Sequence, residues 1–299
     1  MAFRTLDDYK LNNKKILVRV DLNVPLENGR ISDTSRIERL IPTIKKIINA
    51  GGKPILISHF GRPKGFKNKE LSLTHLISSL NNILGCPVKF SENLLGIKAL
   101  KVIENLGHGE VLLLENTRFY KEEEKNDPAF SKSLSELGDI FCNDAFSVSH
   151  RAHASTVGVA KLIPNCIGLL MQEELSALKK VLTEPERPVV AVVGGAKIST
   201  KLDLLLNLIE KVDHLVIGGG MGNTFLHAQD YPVGKSLCEK NLKNTALKIL
   251  KEAKTVGCQI HIPKDVVISS VFKANAPHEV VDVKNIPDEA LVLDIGPDT

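Results

Sequence analysis

Residues 15–60 read KILVRVDLNVPLENGRISDTSRIERLIPTIKKIINAGGKPILISHF. KILVRVDL (15–22) is a short apolar run of strand length. Asp33 or Thr34 then offers an N-cap, and TSRIERLIPTIKKIINA (34–50) carries the spacing of a helix, stopped by Gly51 and Gly52. Pro42 lies inside that helical pattern and predicts a kink or break, because its nitrogen has no hydrogen to donate and its ring collides with the preceding turn. GKPILISHF (52–60) returns to strand. A strand, a helix and a second strand in this order imply a parallel pair joined by a right-handed crossover.

The alternation continues outward from this unit. LTHLISSLNNILG (73–85) reads as a helix ended by Gly85, and PVKF (87–90), VLLLENT (111–117) and DIFCNDAF (139–146) read as strands, with helical AFSKSLSELG (129–138) before the last. A second series has strands VVAVVGG (189–195), HLVIGGG (214–220) and QIHI (259–262). Its helices are STKLDLLLNLIEKV (199–212), NTFLHAQ (223–229) and KNLKNTALKILKEAKTVG (240–257). Between the series, GLLMQEELSALKKVLT (168–183) is an amphipathic helix with no strand of its own. The expected fold class is α/β: two Rossmann-like parallel-sheet domains, 1–167 and 184–299, joined by a hinge helix at 168–183. A length of 299 residues suits two domains at roughly 150 residues each.

Composition narrows the function. Apolar residues at 43% and charged residues at 25% exclude a disordered or collagen-like chain. No apolar run reaches the length of a membrane span. The opening MAFRTLDDYK has no apolar core of a secretory signal. Five cysteines, an odd number without a Cys-x-x-Cys pair, read as reduced thiols of a cytoplasmic protein. The net charge of +4 is uneven: residues 1–170 hold 24 Lys/Arg against 18 Asp/Glu, and residues 171–299 hold 15 against 17. The first half therefore attracts anions. With 4% aromatics and no Trp, a base-stacking surface for nucleic acid is not supported.

Ligands of open α/β sheets sit beyond the carboxyl ends of the strands, and polar residues collect there. VRVDLNVP (18–25) delivers Asp21 and Asn23; SHFGRPKG (58–65) delivers His59, Arg62 and Lys64; ENTRF (115–119) delivers Arg118. NDAFSVSHRAHAS (143–155) delivers His150, Arg151 and His153, and Arg36 stands at the start of the first helix. Any one of these alone reads equally as a solvated loop residue. Four Arg and several His at one sheet end instead describe a cage for a small, multiply anionic substrate, since a guanidinium donates two parallel hydrogen bonds to phosphate or carboxylate. His150 and His153 lack an evident third partner for a metal.

The second series carries glycine turns. In GGAKISTK (194–201) Gly194 and Gly195 precede a helix that supplies free N–H groups to a phosphate, with Lys197 and Lys201 four apart; GGGMGNTF (218–225) repeats the pattern with Gly218, Gly219 and Gly220. The bland alternative is that these glycines only make tight turns. Neither stretch fits the P-loop or the dinucleotide fingerprint: Gln229 stands where the P-loop glycine preceding Gly-Lys-Ser 234–236 belongs, and Asn223 where the third fingerprint glycine belongs.

Taken in order, VRVDLNVP, SRIERLIPTI (35–44), SHFGRP, ENTRF, NDAFSVSHRAHAS, GGAKISTK, GGGMGNTF and DIGPDT (294–299) resemble the phosphoglycerate kinase family over essentially the whole chain. The resemblance implies reversible phosphoryl transfer from 1,3-bisphosphoglycerate to ADP, giving 3-phosphoglycerate and ATP, with Mg2+ accompanying the nucleotide. It implies a glycerate-binding first lobe, a nucleotide-binding second lobe, domain closure during reaction, and a monomer that binds neither nucleic acid nor membrane. It assigns Asp21 and Asn23 to the glycerate hydroxyl and carboxylate, and His59, Arg62, Arg118 and Arg151 to a basic patch. Arg36 is assigned to the transferring phosphoryl group and Lys201 joins it as a catalytic residue, while Lys201, Lys197, Gly194, Gly195, Gly219 and Gly220 are assigned to the nucleotide. Gly222 replaces a frequent family Ala. By the same resemblance the family continues beyond DIGPDT into segments that hold an aspartate for the metal nucleotide. The second domain is therefore expected to be incomplete. The alternative is an impaired chain that only binds 3-phosphoglycerate. A nicotinamide-dependent oxidoreductase, the other reading of the alternation, is disfavoured by the failed fingerprint.

Overall fold

The structure, a computed structural model, describes residues 3–27, 30–183 and 185–299. It divides into two compact units, Met1–Leu178 and Lys179–Thr299, and the division falls inside the helix Leu169–Thr183.

The first unit is built on a six-stranded sheet in the order Val88–Ser91, Val111–Leu114, Lys53–Ile57, Lys15–Arg19, Ile140–Asn143, Asn165–Ile167, with every pairing parallel. Successive side chains of a strand point to opposite faces, and here both faces are covered. Ile16, Val18 and Leu56 pack with Ile37, Ile44, Ile47 and Leu80 on one side. Leu17, Ile55 and Ile57 pack with Ile103, Leu134 and Phe141 on the other. Burial on both faces is why the inner strands, such as Val111–Leu114 with its four buried residues, read as continuous apolar runs rather than as alternating ones.

The predicted break at Pro42 is present. The helix Ser35–Glu38 stops, and a second helix, Ile41–Asn49, starts with Pro42 in its first turn, where a missing N–H costs nothing. Asp33 Oδ1 accepts the Ser35 N–H at 2.8 Å at the head of the first piece. Gly85 closes the helix Ile77–Leu84 in the left-handed conformation, φ 66°. Two helices were not foreseen: the single turn Lys121–Glu124 and the helix Ile97–Glu104. The buried face of Ile97–Glu104 is only Ala99 and Ile103, while Ile97 is largely exposed, so its apolar stripe is too narrow to register as a period.

The order of strands along the chain and in the sheet reverses between two neighbours. Lys15–Arg19 leads on to Lys53–Ile57 on one side, and Ile140–Asn143 leads on to Asn165–Ile167 on the other. Their outgoing loops diverge, which opens a crevice at their carboxyl ends.

The second unit has a three-stranded parallel sheet, Gln259–His261, His214–Gly218, Val190–Gly194. The helices Leu202–Ile209, Gly219–Ala228 and Lys243–Val256 contribute Leu205, Phe225 and Ile249 to its core. A separate antiparallel sheet, Glu279–Asp282, Asp265–Ser269, Leu291–Ile295, was not anticipated. Its strands are separated by stretches such as KANAPH (273–278) and NIPDEA (285–290), whose Pro and charge read as loop. The outermost strand, Glu279–Asp282, is mostly exposed and gives no apolar run. All five cysteines are free. Among the described residues no helix is long and apolar enough to cross a membrane.

Candidate functional site

At the crevice of the first sheet, a cavity of about 230 Å³ is lined by Asp21, Ser35, Arg36, Arg39, Asp144 and Ser147, among others. Asp21 and Asn23 leave the strand Lys15–Arg19, and Asp144 and Ser147 leave Ile140–Asn143. Arg36 Nη1 donates to Asp21 Oδ2 at 2.7 Å and to the Asn23 carbonyl at 3.1 Å. Ser147 Oγ donates to the same Asp21 oxygen at 2.7 Å, and the Asn23 N–H donates to Oδ1 at 3.0 Å. Burial of Asp21 opposes its charge, but these donors and the Arg36 guanidinium outweigh it and hold the carboxyl below its ordinary range. The Asn23 side-chain oxygen accepts the Gly61 N–H at 2.9 Å, so what Asn23 offers a ligand is its amide donor pair.

Arg118 is clamped to the neighbouring loop. Its Nη1 donates to the Gly61 carbonyl at 2.9 Å, and its own carbonyl accepts the Gly65 N–H at 3.1 Å. Its Nε lies 3.2 Å from Glu124 Oε1, an ionic contact without hydrogen-bond alignment. Burial lowers the Arg118 pKa; Glu124 opposes this, and the nearby charges of Arg151 and Arg62 reinforce it. His59 likewise feels the charges of Arg118, Asp21 and Arg151. The structure thus gathers Asp21, Asn23, Arg36, His59, Arg62, Arg118 and Arg151 into one electrostatically connected cluster. Arg62 is exposed, Arg151 is half-buried, and its Nε is buried without a partner. Lys64 is exposed in the left-handed backbone region, φ 55°, and His150 is exposed.

His59 differs from the expectation of a basic patch. Burial and the Arg19 and Arg118 charges push its pKa down to about 3, so it enters the cluster as a neutral ring. His153 Nδ1 lies 4.0 Å from Glu123 Oε1, and burial lowers its pKa against the pull of that carboxylate. Among the described residues no three His, Cys, Asp or Glu side chains converge in the manner of a metal site.

Several supporting residues were missed. Arg19 is almost wholly buried inside the strand Lys15–Arg19; the signal was a cation enclosed by the apolar run ILVRV (16–20). Asn116, fully buried, bonds the Phe60 N–H, the Phe60 carbonyl, the Leu71 carbonyl and the Arg118 N–H. It ties SHFGRP to ENTRF and fixes where Arg118 starts. Asp144, also fully buried, accepts the Met171 N–H at 3.0 Å at the head of the helix Leu169–Thr183, while its Oδ2 has no partner. Burial raises its pKa in spite of Thr43, Met171 and Leu170.

In the second unit the two glycine turns lie against each other. Gly194 pairs with Gly218 in the parallel register, and the Gly195 carbonyl accepts the Met221 N–H at 2.9 Å. Gly219 has φ 65°, and a Cβ there would lie 3.1 Å from the Gly195 oxygen; one on Gly220 would lie 2.8 Å from the Ala196 oxygen. These glycines therefore permit a close backbone approach. Gly219 and Gly220 are not in a free turn but open the helix Gly219–Ala228, four residues earlier than the sequence pattern indicated. Lys201 sits at the N-cap of Leu202–Ile209, and its Nζ donates to the Gly194 carbonyl at 2.8 Å. In the preceding turn Glu239 accepts both the Ser199 N–H, at 3.0 Å, and the Ser199 Oγ–H, at 2.6 Å. Lys197 is exposed beside it.

Residues 6–299 match the family model described as Phosphoglycerate kinase. The chain is 54% identical over 299 residues to the phosphoglycerate kinase of Ruegeria pomeroyi, covering all of this chain and 75% of that protein. It is 56% identical over 295 residues to that of Methylorubrum extorquens, covering 98% of this chain and 74% of the relative. Its fold is similar to the solved phosphoglycerate kinases of Coxiella burnetii, with TM-score 0.79 and 38% identity, and Pyrococcus horikoshii, with TM-score 0.83 and 29% identity. Each structural match covers 99% of this chain, and 75% and 76% of those chains respectively. Nothing in these matches favours the reading in which the chain only binds glycerate. The chain belongs to the phosphoglycerate kinase family of phosphotransferases.

Proposed function

We propose that the first-unit cluster binds 3-phosphoglycerate or 1,3-bisphosphoglycerate, and that the glycine surface of the second unit binds ADP or ATP. The observation that carries this reading is the Arg36–Asp21 pair at the crevice of the parallel sheet, with Arg118, Arg151 and Arg62 in electrostatic reach of the same group of residues. A substrate with a phosphate at one end and a carboxyl or acyl phosphate at the other needs several guanidinium forks and a hydroxyl partner. Arg62, Arg118 and Arg151 supply the forks, and Asp21, Asn23 and the His59 ring supply the neutral and acceptor contacts.

Arg36 is the residue assigned to the transferring phosphoryl group. Its guanidinium is half exposed and held by one strong ionic bond, so it can exchange Asp21 for a phosphoryl oxygen. Phosphoryl transfer depends on positioning and charge stabilisation rather than covalent help, and a cation placed there acts on the transition state. Lys201 and Lys197 are assigned to the nucleotide phosphates, with Gly194, Gly195, Gly219 and Gly220 providing backbone approach. The described residues do not assemble a metal cage of their own, and Mg2+ is assigned to the nucleotide phosphates, which hold this ion with water in many kinases. The reading further includes domain closure during turnover, a monomeric state and a cytoplasmic location.

Calorimetry with 3-phosphoglycerate and with MgADP, each alone, together with a coupled turnover assay, tests the proposal. Binding of both ligands with turnover is expected. Glycerate binding with neither nucleotide binding nor turnover would replace it with the binding-only reading, and a response to NAD(H) would replace it with an oxidoreductase.

A further inference from the structure

Beneath the glycerate cluster runs a buried chain of polar side chains that phosphoryl transfer itself does not use. Arg19 Nε donates to Ser155 Oγ at 3.0 Å, and Arg19 Nη1 donates to the Val20 carbonyl. Ser155 Oγ in turn donates to Glu123 Oε1, and the Ser155 N–H donates to Glu123 Oε2 at 2.9 Å. Arg19 and Glu123 are both almost completely shielded from water. Because an arginine only donates, the direction of every bond in this chain is fixed: Arg19 to Ser155, and Ser155 to Glu123. A buried cation is thereby anchored through a hydroxyl to a buried anion.

The remaining arm of Arg19 decides the state of His59. Arg19 Nη2 lies 3.1 Å from His59 Nδ1. With a guanidinium N–H pointing at it, Nδ1 must present its lone pair, and the ring proton of a neutral His59 must sit on Nε2. A proton on Nδ1 would set donor against donor.

We infer that Arg19 is a positioning residue that fixes His59 as the neutral Nε2–H tautomer, so that His59 meets the anionic substrate as an uncharged hydrogen-bond donor. This rests on the glycerate-binding reading above and adds to it the proton inventory of one contact. The surroundings of the ring agree. Arg19 from its strand, Arg118 from the segment Thr117–Phe119, and Arg151 all oppose a second positive charge. Asp21 favours one, but its carboxylate is already engaged by Arg36 and Ser147. Glu123 is committed to Ser155 and screens Arg19. Burial adds to the arginines, and together they push the ring's pKa to about 3. A neutral donor keeps one geometry and one charge through the range in which an ordinary histidine titrates.

Long-range ¹H–¹⁵N spectra of the imidazole rings in the full chain, without ligand, test the inference directly. From pH 5.5 to 8, His59 is expected to show a bare Nδ1 and a protonated Nε2, with no titration. A protonated Nδ1, or a midpoint above pH 5, overturns it. Arg19→Met should release the ring into mixed tautomers that titrate near neutrality. The ratio of its 3-phosphoglycerate Kd to that of the parent should then change by on the order of tenfold between pH 5.5 and 8. Arg19→Lys, which keeps a donor, should restore the Nε2–H signature. If Arg19→Met does not fold, the parent spectrum alone still decides. Failure of the parent to bind 3-phosphoglycerate would defeat the substrate reading instead, and leaves the ligand-free spectrum to judge the tautomer.

Discussion

Arg36 Nη1 and Asp21 Oδ2 are 2.7 Å apart, although fifteen positions separate them in sequence, and the strand end and the helix start meet through that bond. If Arg36 acts on the transferring group, removing it should leave ground-state binding largely intact. Arg36→Ala is expected to lower kcat by about 100- to 1000-fold, the usual cost of losing one transition-state donor, with less than about tenfold loss in 3-phosphoglycerate affinity. Steady-state kinetics and calorimetry on the same preparation check this. Equal losses in the two would mean that Arg36 serves binding.

Acid should weaken the first unit through His59. The folded ring refuses a proton until about pH 3, whereas the unfolded ring accepts one below about pH 6.5. Between those values the unfolded state binds more protons, so stability falls as pH falls. Asp21 adds a second loss lower down: its depressed pKa contributes stability above the unfolded carboxylate pKa that disappears as pH drops through the folded one. Urea denaturation from pH 7 to 4.5 should show a shallower decline in His59→Gln than in the parent. Parallel slopes would exclude His59 as the cause.

The glycine turns separate structural need from ligand approach. A Cβ on Gly219 or Gly220 meets backbone at 3.1 or 2.8 Å, whereas one on Gly194 or Gly218 meets nothing within 4 Å. Gly219→Ala and Gly220→Ala should cost about 1–3 kcal/mol of stability. Gly194→Ala and Gly218→Ala should leave Tm unchanged while weakening MgADP by about tenfold, if phosphate approaches that backbone. Thermal melts paired with nucleotide calorimetry distinguish the two pairs, and unaltered MgADP affinity in Gly194→Ala and Gly218→Ala would move the nucleotide elsewhere.

Asp144 is expected to matter through the helix it caps rather than through the substrate. Asp144→Ala leaves the Met171 N–H without its acceptor and should cost about 1–3 kcal/mol. Asp144→Asn keeps an acceptor and removes a charge that burial disfavours, so its cost should be smaller. Because the folded pKa is raised, the parent regains a little of this stability as pH falls through it, and the Asn variant does not. Denaturant midpoints of both variants at two pH values provide the check, and equal costs for Ala and Asn would refute the capping role.

The inner parallel strands of the first unit were legible because burial on both faces leaves them apolar, as in Leu112 and Leu113. The three-residue edge strand Asn165–Ile167 was not, since it is short and begins with an exposed polar residue. The helix break was legible because Pro42 has a single local cause. The cluster residues were legible from their place after strand ends. The residues that hold the cluster were not. Arg19, Asn116, Glu123 and Asp144 are defined by partners far along the chain, such as Asn116 with Phe60 or Asp144 with Met171, and pairing at that range leaves no periodic trace. The charge of His59 was also hidden, since residue type gives an ordinary histidine and only the surrounding guanidinium groups and burial make it neutral. Of the antiparallel strands of the second unit, the outer two face solvent over much of their length. The buried central strand Asp265–Ser269 is only five residues long and is bracketed by Pro263 and Lys264 and by polar Ser269 and Ser270, so its short apolar run VVI reads as part of a loop.

The cavity joins Asp21 to Ser147 across the point where the sheet order reverses. During synthesis, then, a growing polypeptide lacks part of this pocket until the loop after Ile140–Asn143, and finally Leu170 and Glu174 of the helix Leu169–Thr183, have left the ribosome. The substrate proposed for this pocket would therefore act on folding only as a late ratchet, once the last-made wall has docked beside the first.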